Sequence, residues 1–195
     1  MNNEFYAIIS RMKYIDRWAL MRNTEAENLM QHSYEVAVLA HALCVLGNTR
    51  CGMDLDAEKA AVIALYHDAS EILTGDMPTP VKYYSEEIRD AYKHVEAVAT
   101  DKLLDMLPED LRPSYTAVLA PEDAALNKIV KAADKLSALI KCIEEDKAGN
   151  KEFAKAYEST LNAIHALECE PAELFLKEFI DPYRLTLDQI GKTHV

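Results

Sequence analysis

Leu126, Ile129, Val130, Ala133, Leu136, Ile140 and Ile143 recur at steps of three and four, so the stretch from Asp123 to about Lys147 can bury one continuous apolar face only as an α-helix. In a strand the same residues would scatter over both faces. The period returns in Phe5, Ile8, Ile9 and Met12, and again in Ile88, Ala91, Tyr92, Val95, Val98, Ala99, Leu103 and Met106. No alternation of apolar and polar residues is long enough to specify a strand. The expected fold is all-α, a helical bundle of roughly eight helices.

Punctuating residues divide the chain. Asn23 or Thr24, followed by Glu25 and Glu27, reads as the capped start of a helix to Leu46, with Gly47 and Asn48 ending it. Asp56 can cap the next helix, which runs through His67 and on to Leu73. Thr74 to Pro80 then forms a rigid loop built on Gly75 and two prolines. Residues 86–107 form a helix ended by Pro108, and residues 108–121 a looser connection. Pro121-Glu-Asp opens the helix to Lys147, which Gly149-Asn150 closes, and helices over 151–167 and 171–180 follow. At 195 residues, with 5 glycines and 7 prolines, residues 1–195 are expected to form a single domain.

The formal charge of −12 disfavours a nucleic-acid polymer as partner, although a metal and one or two arginines can reverse the sign inside a pocket. Cys44, Cys51, Cys142 and Cys169 form no C-x-x-C pair and are expected to be free thiols, mostly buried. Neither a signal peptide nor a membrane-spanning run is evident, which points to the reducing cytoplasm.

Chemistry concentrates after the uncharged run Ala60 to Leu65, where His67, Asp68 and Glu71 follow within one helical turn. Polar groups at the end of an apolar helix need partners, and a cation would supply one. His32 and His41 ride on one helix but lie half a turn apart, so one at most serves a given site. Asp134 lies between Lys131 and Lys135, and periodicity alone reads it as a solvated ion-pair partner, although it could also serve as an oxygen ligand. A set of His32, His67, Asp68 and Asp134 would offer two nitrogens and two oxygens, which suits Mn, Co, Fe, Ni or Zn. Trp18, beside Arg17, is either a core anchor or part of a ligand-facing loop in which Arg17 forks onto phosphate. Asp76 is either a turn residue or a site carboxylate.

The pattern His32, His67-Asp68, Asp134 resembles the signature of the HD-domain metal-dependent phosphohydrolases. Arg17-Trp18-x-Leu-Met-Arg-Asn, Glu27-Asn28, His32-Ser33, Tyr66-His-Asp-Ala-Ser-Glu71 and Leu73-Thr-Gly-Asp-Met-Pro-Thr-Pro-Val-Lys82 resemble, more closely, the bacterial 5'-deoxynucleotidases of the YfbR type. That resemblance implies an HD-domain helical bundle hydrolysing 2'-deoxyribonucleoside 5'-monophosphates to deoxynucleoside and phosphate. It implies one divalent transition metal, such as cobalt or manganese, held by His32, His67, Asp68 and Asp134. It further implies Glu71 as general base, Arg17 on the phosphate, Trp18 and Asp76 at the sugar, and a homodimer. The helix over 86–107 is the expected contact face. The rival readings are an HD hydrolase of nucleoside triphosphates or cyclic phosphodiesters, and a non-catalytic metal-bearing helical module.

Overall fold

Helix α8, Ala124–Lys147, is the axis of a computed structural model that describes residues 3–82 and 84–191. Leu136, Leu139, Ile140 and Ile143 on it are at most 1% exposed, each burial contributing roughly 1.5–3 kcal/mol. Before it come α1 (Phe5–Ile9), a 3-10 segment (Ser10–Tyr14), α2 (Leu29–Arg50), α3 (Ala57–Tyr66), α4 (Glu71–Thr74), α5 (Thr79–Lys82), α6 (Glu86–Asp105) and α7 (Arg112–Leu119). After it come α9 (Ala154–Ala166) and α10 (Glu170–Phe179), with 3-10 turns at Lys151–Phe153 and Asp181–Arg184. The described residues hold no strand, only an isolated antiparallel bridge between Asp16 and Asn28. The all-α expectation is met.

The main core lies where α2, α3 and α8 meet, extended by Ile164 of α9 and Phe175 of α10. A smaller cluster of Phe5, Ala69, Leu103 and Leu107, with Tyr66 and Tyr115 packed against it, ties α1 to α6 and α7. Among the described residues α2 is the one helix long and apolar enough to cross a membrane. Its Leu29, Val36, Leu39, Ala40, Leu43 and Cys44 are buried in the protein interior instead. All four cysteines are free, three of them buried and Cys51 half-buried.

Several boundaries differ from expectation for local physical reasons. Helix α2 starts at Leu29, capped by Asn28, whose side chain accepts the Met30 and Gln31 N–H groups while Gln31 reaches back to the Asn28 N–H. Thr24 is drawn away because its N–H and hydroxyl both donate to Glu145 on α8. The helix also runs past Gly47, where a Cβ would stand 3.0 Å from Met53 Sδ and 3.1 Å from Pro171 Cγ. That glycine permits close approach and does not end the helix. The helix through His67 breaks after Tyr66, because Ala69, Glu71 and Ile72 donate to carbonyls three residues back and tighten the chain into a turn. Residues 112–119, expected as part of a loose connection, form α7 with Pro113 in its first turn, where the missing N–H is harmless.

Candidate metal centre and anion pocket

Three parts of the fold converge on one point. His32 projects from the first turns of α2, fully buried; His67 and Asp68 come from the turn after α3; Asp134 comes from the middle of α8. One ligand atom each of His32, His67 and Asp68 lies within 4.8 Å of the others. Asp134 Oδ1 joins them at 3.2 Å from His32 Nε2, while Asp68 Oδ2 lies 3.5 Å from His32 Nε2 and 3.1 Å from His67 Nε2. Asp134 also pairs with Lys135 through its other oxygen at 2.9 Å, the ion pair that periodicity suggests. His41, half a turn from His32, is exposed.

Hydrogen bonds on the far side of each ring decide what the near side offers. His67 Nδ1–H donates to the Ala64 carbonyl at 2.7 Å, which leaves a lone pair on Nε2. Ser137 Oγ donates to Glu35 Oε2 at 2.6 Å and so accepts from His32 Nδ1–H at 3.0 Å, with the same result. Burial, then the nearby Arg17 charge, lowers the His32 pKa and keeps the ring neutral. Burial also works against the charged form of His67, but Asp68 and Asp134 outweigh it and raise its pKa in the ion-free protein. Burial would push both carboxyls up, yet His67 holds Asp68 far below the carboxylate range, and Lys135 with His32 does the same for Asp134.

His32 Nε2 and His67 Nε2 are buried with no hydrogen-bond partner. Two imidazole lone pairs facing two ionised carboxylates repel unless positive charge sits among them, so this donor set fits a divalent cation. The mixed nitrogen and oxygen set suits a borderline transition metal.

Glu71, the first residue of α4, is 7% exposed, and its Oε2 is buried without a partner. Burial first, and then the charges of Asp68 and Asp76, push its pKa up to about 9. A cation among its neighbours would offset those charges and favour ionisation. Burial likewise raises the pKa of Asp76, opposed by Arg17 and by a hydrogen bond from the Trp18 backbone N–H. The Asp76 carboxylate therefore lies close enough to the Arg17-Trp18 segment to feel its charge and its backbone dipole.

Arg17 is nearly buried, and its Nε and Nη1 have no hydrogen-bond partner. Burial opposes its charge, but Glu27, Asp134, Asp68 and Asp76 together raise its pKa, which keeps an unsatisfied cation beside the histidines and carboxylates. Trp18 sits in the left-handed region at φ 60°, which costs a non-glycine residue on the order of 1–3 kcal/mol. Its ring packs against Phe153 at 5.3 Å between centroids, with the planes 61° apart, which is the anchoring contact. Arg22 stands apart, its backbone tied to Glu152. A cleft of about 350 Å³ opens beside His67 and Asp68, with Ser70, Glu96, Thr100 and Asp101 on its walls.

Sequence reasoning missed Glu35 and Ser137, which orient His32, and assigned no role to Glu27, although it lies in one of the diagnostic segments. Helical periodicity marks Ser137 only as a small residue near the buried stripe of α8, and nothing local pairs it with α2.

The architecture is that of the HD-domain phosphohydrolases. A crystal structure of an HD-domain phosphohydrolase from Listeria innocua matches with a TM-score of 0.82 at 26% identity, over 92% of this chain and 88% of that one. The pattern of the family described as 5'-deoxynucleotidase YfbR-like matches residues 4–183, and the chain belongs to that family. The 5'-deoxynucleotidase YfbR of Escherichia coli is 44% identical over 193 residues, covering 97% of this chain and 96% of its own. A 5'-deoxynucleotidase of Erwinia tasmaniensis is 43% identical over 194 residues, covering 98% of both.

Proposed function

We propose that this chain is a metal-dependent phosphomonoesterase hydrolysing 2'-deoxyribonucleoside 5'-monophosphates to deoxynucleoside and phosphate. The observation that carries the reading is the buried Arg17, charged and with unsatisfied N–H groups, beside a two-histidine, two-carboxylate set. An anion that meets both an arginine fork and a metal is the signature of phosphate chemistry.

His32, His67, Asp68 and Asp134 would hold a divalent cation, which when bound would supply Lewis acidity toward a phosphoryl oxygen and a lowered pKa for water there. Arg17 orients the phosphate and offsets the charge that develops on its equatorial oxygens. Glu71 takes the proton of the attacking water, the bond from phosphorus to the sugar 5'-oxygen breaks, and the proton held on Glu71 passes to that leaving oxygen. The Trp18 indole and Asp76 face the sugar; Asp76 accepts from a sugar hydroxyl, and the indole leaves no room for a 2'-hydroxyl. The near-complete burial of Glu71 and Arg17 keeps bulk water from screening these charges.

The same reading takes residues 1–195 as one HD-type domain, the resident metal as a single cobalt or manganese ion, and the protein as cytoplasmic. Its unpaired cysteines fit a reducing compartment. A homodimer through α6 is supported by the outward Ile88, Val95 and Val98 on that helix, whereas Tyr92 is buried against the protein's own interior.

Phosphate release from a panel of deoxy- and ribonucleoside 5'-monophosphates, across several divalent metals, tests the reading. Turnover of dAMP well above AMP is expected. No phosphate from dAMP, together with cleavage of a nucleoside triphosphate or a cyclic dinucleotide, would move the chain to another activity of the HD class.

A further inference from the structure

A single carboxylate connects the residues read as phosphate, sugar and metal contacts, and it belongs to none of those groups itself. Glu27 Oε2 accepts the Trp18 indole N–H at 2.7 Å and lies 3.6 Å from Arg17 Nη1. Its Oε1 lies 3.8 Å from His32 Nδ1. The backbone holding Glu27 is itself fixed. It precedes Asn28, the cap of α2, and its carbonyl accepts the Arg17 N–H at 2.9 Å beside the bridge between Asp16 and Asn28.

Trp18 needs such a fixture. Its left-handed backbone is held through its carbonyl, which accepts the Met21 N–H at 2.8 Å and the Asn23 side chain at 3.4 Å. Those contacts set the direction of the side chain but leave the ring free to rotate. Phe153 meets the indole at 5.3 Å between centroids with the planes 61° apart, an apolar contact that has no polar direction to impose. Two directional contacts bear on the ring itself, the indole N–H bond to Glu27 and the Arg17 guanidinium 5.9 Å from the ring centroid, and Glu27 faces that guanidinium as well, at 3.6 Å.

We propose that Glu27 is a positioning residue that locks the Trp18 ring and thereby sets discrimination between deoxyribose and ribose. The proposal rests on the sugar-facing reading of Trp18 given above. Rejection of a hydroxyl by a wall requires that the wall not yield, and a ring free to rotate can open space for the extra oxygen. Glu27 also opposes the Arg17 charge, so its loss should weaken the hold on phosphate for both sugars alike.

The test uses the metal-loaded chain carrying Glu27→Met, which keeps side-chain length, and Glu27→Gln, which keeps an acceptor oxygen. Phosphate release from dAMP and AMP gives kcat and KM, and fluorescence emission reports Trp18 alone because it is the only tryptophan. Glu27→Met is expected to shift the emission and to lower the ratio of dAMP to AMP kcat/KM by about tenfold or more. Glu27→Gln should keep both within about twofold of wild type while KM rises for the two substrates together. A Glu27→Met protein with wild-type emission and ratio overturns the proposal. Should that variant fail to fold, Trp18→Phe deletes the same hydrogen bond from its donor side; an unchanged ratio there overturns the proposal equally. Wild-type protein that turns over AMP as fast as dAMP overturns the sugar reading itself, and the emission of Glu27→Met then still decides whether Glu27 orients the ring.

Discussion

Asp134 Oδ1 stands 3.2 Å from His32 Nε2 while Asp134 Oδ2 stands 2.9 Å from Lys135 Nζ. One carboxylate thus links α8 to the buried histidine of α2 and keeps an ion pair at the surface. Lys135 and His32 hold it ionised against burial, which leaves an acceptor of full charge facing the two imidazole nitrogens.

Replacing that carboxylate by an amide tests its place in the ligand set. Asp134→Asn preserves shape but removes the charge, so metal occupancy after gel filtration should fall well below wild type by elemental analysis, with phosphate release falling in step. Full occupancy in this variant would remove Asp134 from the ligands.

Glu71→Gln separates proton transfer from metal binding. Phosphate release should drop by about 10²–10⁴-fold, while metal content and melting temperature stay at or above wild type, since the change takes an acid without a partner at Oε2 out of a buried place. Turnover equal to wild type would end the assignment of Glu71 as proton acceptor.

Ser137 holds the His32 tautomer from behind, and its effect should appear in metal affinity before it appears in fold. Ser137→Ala leaves the His32 Nδ1–H without its 3.0 Å acceptor. Titration of the metal-free variant is expected to give roughly 10–100-fold weaker binding. Affinity matching wild type would show that the rest of the pocket fixes the ring unaided.

Glu145 makes stability depend on pH. Burial would raise its pKa, but Lys141, Thr24 and Asn150 all donate to it and bring it down to about 2 from an ordinary 4.5. A carboxylate depressed in the folded state adds stability that is present above about 4.5 and is lost as pH falls toward 2. Urea melts from pH 7 down to pH 3 should therefore show a shallower loss of stability in Glu145→Gln than in wild type. The variant should also be weaker at neutral pH by on the order of 2 kcal/mol. Parallel curves for the two proteins would refute the anchor.

Local pattern carried much of the fold. The apolar steps of α8 and α6 specify helices whatever surrounds them, and the caps at Asp56 and Asp123 satisfy N–H groups within three residues of themselves. The start of α2 was not legible, because Thr24 is claimed by Glu145, a partner on a distant helix. The break after Tyr66 was equally hidden, since apolar spacing continues smoothly through a turn that only the hydrogen bonds distinguish from helix.

The candidate site divides the same way. Residue types and adjacency determined which groups are available: an imidazole and a carboxylate side by side at His67-Asp68, an acid one turn on at Glu71, and an arginine beside the lone tryptophan. Only the crossing of α2, α3 and α8 decided that His32 and not His41 meets them, that Asp134 turns inward, and that Glu27 reaches Trp18. Periodicity states which face of a helix is apolar. Which two faces touch, and so which polar groups share one buried point, depends on packing between elements far apart in the chain.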